Sequence, residues 1–186
     1  SYEDFDTNDD WGANANAADI TATAASVYAF AFQDAKEAAL LVNLPAGEYT
    51  AIAGDKNDTS GIGIVELYDA DADGSGSRLI NISNRGFCGV GDQVMIPGFV
   101  ISSEGPKTLL VRVIGPTLEG FGVPGVMADP KLTVYSGQTP LFANDNWSDN
   151  PEAEHTADVA AQVFAFPLGV NSKNAASVVT LQPGSY

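Results

Sequence analysis

The stretch LFANDNW at residues 141–147 has a near twin, FDTNDDW, at residues 5–11. An Asn-Asp-x-Trp phrase written twice in 186 residues points to an internal repeat, which outranks local signals in deciding a fold. Trp11 and Trp147 are 147 − 11 = 136 residues apart, and Tyr49 and Tyr186 are 186 − 49 = 137 apart. The two segments therefore run in register with one inserted residue near Val170. VYAF at 27–30 meets VFAF at 163–166, and AKEAALLVNLPAGEY at 35–49 meets NSKNAASVVTLQPGSY at 171–186. Ten identities between Asn8 and Phe30, and seven between Lys36 and Tyr49, exceed what chance gives over some forty aligned positions. The chain reads as one full period of a tandem repeat plus about fifty residues of the next.

Outward from the phrase, the local pattern is mostly β. Segments 48–54, 61–69, 78–83, 93–102, 107–115 and 131–137 are short, rich in β-branched and aromatic residues, and bounded by Gly, Pro, Asn and Asp. Their spacing predicts an all-β fold of β-sandwich or jelly-roll-like modules. Residues 107–114 are nearly continuously apolar, with Arg112 the main break, as in a central strand. One short helix per repeat is expected after each Trp. Asn150-Pro151-Glu152 offers a capping Asn, Pro at the first helical position and acid in the first turn. Asn14 holds the matching place in the earlier copy, and Ile20, Ala24, Val27, Tyr28 and Ala31 follow helical spacing. VYAFAF at 27–32 also reads as a strand. The expected organisation is a first sandwich segment at 1–76, lacking its first strand, and a second at 77–186, in which 138–186 repeats 1–50.

Charge limits the partners. Eight Lys+Arg against 24 Asp+Glu give a formal net charge of −16, which repels a phosphate backbone and argues against nucleic-acid binding. No apolar run approaches the roughly 18–20 residues that span a bilayer. The lone Cys88 has no partner for an internal disulfide, and any signal peptide is expected to have been removed before Ser1.

Two places suit a hard cation. DADADGSGS sets Asp69, Asp71 and Asp73 on alternate positions before a glycine, like the first half of an EF-hand loop, although the twelfth position is Ile80 rather than Glu. The competing reading is an acidic linker between strands. The Asn-Asp-x-Trp turns offer oxygen ligands too, but an Asx-turn with Trp packed on the sandwich edge is the better-supported reading. Catalytic constellations are scarce, and none is assigned. His155 lies in the polar run PEAEHTADVA and reads as a solvated surface residue. Gly120, Gly122 and Gly125 spell G-x-G-x-x-G, but Pro124 and the lack of a following helix make that stretch a loop. Cys88 reads as a small hydrophobe.

The run DPKLTVYSGQTPLFANDNW at 129–147, followed by AASVVTLQPGSY, resembles the bacterial pre-peptidase C-terminal module, with its order Asp-Pro-x-Leu-x-Leu-Tyr, Asn-Asp-x and Leu-Pro-x-Gly-x-Tyr. SRLINISNRGFCGVGDQVMIPGFVI, LLVRVIGPTLEGFGVPGVMADPKLTVY and GIGIVELYDAD resemble a repeat module of large bacterial surface proteins, a likeness that covers nearly the whole chain. The first resemblance implies a small β-sandwich. The second implies secretion to the cell surface and an architectural or adhesive role, with no catalytic residues to carry over. Calcium (Ca2+) binding, a property of some pre-peptidase modules, is carried by resemblance to Asp129, Asn144 and Asp145.

These readings together lead us to expect a non-enzymatic building block of an extracellular surface protein or fibre, whose partners are adjacent repeats or copies of itself, head to tail. The first copy lacks the counterpart of DPKLTVYSG, so a donated strand burying Leu132 and Val134 is expected to complete it. The competing class is a carbohydrate-binding or adhesive accessory module that holds a polysaccharide on exposed Trp and Tyr.

Overall fold

The computed structural model describes residues 6–71, 76, 78–102 and 105–186. It divides into two compact units, Ser1–Ile80 and Asn81–Tyr186. Across the described residues the chain is mostly strands and loops, with a few short helices and three two-stranded sheets.

In the first unit, a 3-10 turn at Trp11–Ala13 leads into helix α1, Ala17–Ser26, whose Ile20 is the buried apolar residue. The rest of its described chain runs without a strand. The segments 48–54, 61–69 and 78–83, read from the sequence as strands, form no ladder here. Alternation gives a segment a strand-like face, but a strand exists only where another backbone takes up its N–H and C=O groups.

The second unit supplies those partners. In chain order it has β1 (Val100–Ile101), β2 (Lys107–Val113), a 3-10 helix at Pro116–Phe121, β3 (Leu132–Ser136), β4 (Thr139–Asn144), a 3-10 turn at Trp147–Asp149, α2 (Ala153–Gln162), β5 (Ala175–Leu181) and β6 (Gly184–Ser185). The pairs are β1 with β6, β2 with β5 and β3 with β4, all antiparallel. The β2–β5 ladder runs its full seven residues, from Lys107 opposite Leu181 to Val113 opposite Ala175. The β3–β4 hairpin turns at Gly137, whose φ of 56° suits a two-residue turn that a β-carbon would strain. Its Leu132 and Val134 pack against Ala175, Val179 and Leu181 of β5, with Leu109, Val111, Val113 and Phe142 around them. Burying each Leu or Val here stabilises by about 1.5–3 kcal/mol, which makes this cluster the main source of the unit's stability.

Helix α2 lies against β5 and β2 and buries Thr156. Arg112 breaks the apolar run of β2 because its guanidinium stands over the Phe166 ring, 4.4 Å from the centroid. Burial there lowers the Arg112 pKa. The helix starts at Ala153, later than the sequence suggests. Asn150 accepts the Glu152 N–H at 2.9 Å in an Asx turn that precedes the helix rather than capping it. VYAFAF at 27–32 is neither helix nor strand: Tyr28, at φ 58°, ends α1. No helix of the described residues is long and apolar enough to cross a membrane.

Candidate functional site

The doubled phrase is a hydrogen-bonded clasp, built the same way in both units. Asn144 closes it in the second: its side-chain oxygen accepts Ala176 N–H at 2.9 Å, and its amide donates to the Asn146 carbonyl. Asn8 does the same with Ala39 N–H at 2.8 Å and the Asp10 carbonyl. Trp147 N–H donates to the Asn174 carbonyl, and Trp11 N–H to that of Glu37, both at 2.9 Å. The indole N–H of Trp147 reaches the Gly169 carbonyl at 3.0 Å, and that of Trp11 the Asp34 carbonyl at 3.1 Å. Tyr186 hydroxyl donates to the Gln182 carbonyl and Tyr49 hydroxyl to that of Pro45, both at 2.8 Å. The single inserted residue falls between the helix and the following strand. The bonds within the phrase keep the offset of 136 and those to the strand 137, as 147 − 11 = 136 and 176 − 39 = 137 show, whereas the two indole acceptors are 169 − 34 = 135 apart and are not aligned residues.

The helices end alike as well. Tyr28 and Phe164 sit in the left-handed region, at φ 58° and 59°. Tyr28 N–H bonds to the Ala25 carbonyl and Ala29 N–H to that of Ala24, and Phe164 and Ala165 repeat this with Ala161 and Ala160. That is a Schellman closure, in which glycine is the usual left-handed residue. Here it presents an aromatic ring to solvent, with Tyr28 94% and Phe164 91% exposed.

The clasps differ in what surrounds them. Trp147 is buried at 7% exposure, whereas Trp11 is partly exposed and stacks on Phe32 with centroids 4.3 Å apart. Beneath Trp147 lies Asn174, fully buried. Its oxygen accepts Gly115 N–H at 2.9 Å, and its amide donates to Thr117 Oγ1 at 2.7 Å and Ser172 Oγ at 2.9 Å. Asn174 thereby ties the end of β2 to the start of β5. Sequence reasoning missed it because the aligned residue in the first copy is Glu37, so the repeat carries no signal for the role.

The sequence-derived cation ligands fall in two places. Asp69 accepts the Asp71 N–H at 3.1 Å, a local turn bond, and Asp73 lies outside the described residues. Asp129 pairs with Lys173 at 2.5 Å. That hydrogen bond, then the charge of Asp129, raises the Lys173 pKa, with exposed Asp145 adding to it. Asp129 is thus already paired with an ammonium group, and calcium there would have to displace it. In the first unit Asp9 of the phrase pairs with Lys56. Among the described residues no three His, Cys, Asp or Glu side chains stand close enough to share a metal ion.

The remaining reactive groups are dispersed. His155 is exposed on α2. Cys88 is half-buried beside a cleft of about 380 Å³ that Phe87, Leu118, Val123 and Met127 also line. Compared with family models, curated proteins and solved structures, the chain matches none.

Proposed function

We propose that the chain is a non-enzymatic structural building block of an extracellular bacterial surface protein or fibre, assembled from tandem β-sandwich modules. In this reading the β2–β5 sheet and the β3–β4 hairpin are the two facing layers of one module. The observation that carries it is the clasp made twice with the same bonds, once inside a filled core and once beside bare apolar residues. A unit that repeats its internal wiring but finishes its packing only once suits a protein whose modules complete one another, and its partners are then adjacent repeats or further copies. Light scattering and electron microscopy test this. The expected result is concentration-dependent association into elongated particles, and a stable monomer at high concentration would reject self-assembly.

A second reading, a carbohydrate-binding or adhesive module, draws on Tyr28 and Phe164, the exposed rings at matching helix ends. Trp147, which is buried, offers no such platform, and Trp11 is stacked on Phe32. Binding to a polysaccharide that disappears in Tyr28→Ala and Phe164→Ala would favour this reading. Calcium is proposed as a ligand of the loop at Asp69, Asp71 and Asp73, where oxygen donors on alternate positions suit it.

A further inference from the structure

The segment 38–44, AALLVNL, aligns with β5 through the clasp bonds on either side of it, and its surroundings are not those of β5. In the second unit Ser177, Val179 and Leu181 are 2%, 9% and 8% exposed. Their counterparts Leu40, Val42 and Leu44 are 45%, 39% and 39% exposed. β5 is covered because β2 lies beside it and β3 packs on its face. Among the described residues, no strand of the first unit lies beside 38–44 in that way.

Hydrogen bonds at Ala39 fix which edge of 38–44 is occupied. Ala39 N–H is taken by Asn8 and the Ala39 carbonyl by the Asn14 amide, so its peptide groups point toward the clasp. Groups alternate along an extended chain, which turns the N–H and C=O of Ala38, Leu40, Val42 and Leu44 toward the opposite, unpaired edge. We infer that 38–44 is an acceptor strand, and that its occupant is a β2–β3-type segment of another repeat unit. The register follows from β2 on β5: the donor's counterpart of Lys107 opposite Leu44, of Leu110 opposite Leu41, and of Val113 opposite Ala38. Apolar side chains along both strands and main-chain pairing give the recognition, as in strand addition to an open sheet edge. A second copy is a poor donor, because its β2 is already held along seven residues by its own β5, and each edge it filled would leave another bare.

This inference rests on the building-block reading but is tested apart from it. The probe is a synthetic peptide copying residues 105–136, added to the full chain, with a scrambled peptide as control. The expected result is saturable binding with hydrogen exchange of 38–44 slowed at least about tenfold and 175–181 unchanged. Binding should be lost in Leu40→Lys and in Val42→Lys. In a Cys88→Ser chain, Leu41→Cys should form a disulfide with a peptide carrying Leu110→Cys. Ala39→Cys and Asn43→Cys should not, since a two-residue slip separates the Cα atoms by more than about 7 Å. No protection at 38–44, or protection only at 175–181, would overturn the assignment. So would a Leu41→Cys to Leu110→Cys link between two full chains without peptide, which would put a second copy on the edge. A chain that stays monomeric yet takes up the peptide would remove the self-assembling function and keep the acceptor strand, and a chain that associates but ignores the peptide would do the reverse.

Discussion

Replacing Asn174 with Ala tests whether one buried amide holds the second unit closed. The side chain makes three hydrogen bonds, to Gly115 N–H, Thr117 Oγ1 and Ser172 Oγ, and is fully buried. Alanine leaves the Gly115 N–H without its acceptor, at about 1–3 kcal/mol for a buried donor. The two hydroxyls lose an amide donor but rotate toward other partners, so their share is small. The void left by the amide adds roughly 0.5–1 kcal/mol at about 24 cal/mol per Å³. The sum is about 2–4 kcal/mol, a large part of the 5–15 kcal/mol typical of a domain. Thermal unfolding read by Trp147 fluorescence in a Trp11→Phe chain isolates this unit, since Trp147 N–H itself bonds to the Asn174 carbonyl. The midpoint should fall by roughly 10–20 °C. Asn174→Asp supplies the sign check. A carboxyl buried there has its folded pKa raised above the unfolded value. Its cost is therefore absent below the unfolded pKa and appears as pH rises through the folded one. A loss under 1 kcal/mol in Asn174→Ala, or an Asp variant with no recovery in acid, would refute the reasoning.

A β-carbon on Gly115 would lie 2.2 Å from the Met127 carbonyl oxygen, so Gly115→Ala should destabilise the unit by about 2–3 kcal/mol in chemical denaturation. Phe164→Gly should do the opposite, by about 0.5–1 kcal/mol, because glycine takes φ 59° without strain and the exposed ring contributes no packing. His155→Ala should shift stability by no more than about 0.5 kcal/mol, as measured by the same melt, since the residue is exposed. Millimolar Ca2+ should raise the melting temperature by mass action on the folded state, and Asp71→Asn with Asp73→Asn should remove the gain, as differential scanning fluorimetry with and without chelator will report.

The repeat and its helices were legible because they depend on local chemistry. The two helices begin and end at residues related by the 136-residue offset, Ala17 to Ala153 and Ser26 to Gln162. Strand 107–115 is realised as Lys107–Val113 and 131–137 as Leu132–Ser136, where a run rich in β-branched and apolar residues met an available partner. β4 was hidden by Pro140 and by the turn-like letters of the phrase itself, which end it. The converse failure is 61–69: Ile62 and Ile64 alternate with glycine but remain exposed, as does Leu67, since a pattern of side chains says nothing about whether a neighbouring backbone exists to meet it. Of the candidate site, an Asx-turn was the expectation for the phrase, but Asn8 and Asn144 use their side-chain oxygens on Ala39 and Ala176 N–H, distant partners that the local letters do not show. The pairing of Lys173 with Asp129 was not legible either, because it joins the start of β5 to the start of β3, 44 residues away in the chain.

Phe99 and Tyr186 exchange backbone hydrogen bonds, N–H to carbonyl in both directions at 3.0 and 2.9 Å, and their rings stack 5.5 Å apart. The eighty-odd residues between them leave and return at one point. The consequence is mechanical. Tension applied at these two residues does not run through the seven-residue β2–β5 ladder in shear. It falls first on the short β1–β6 pair and opens it bond by bond, like a zip. Folded, the segment spans almost no distance between those two residues, and the extension gained on pulling them apart would be released once that pair parts.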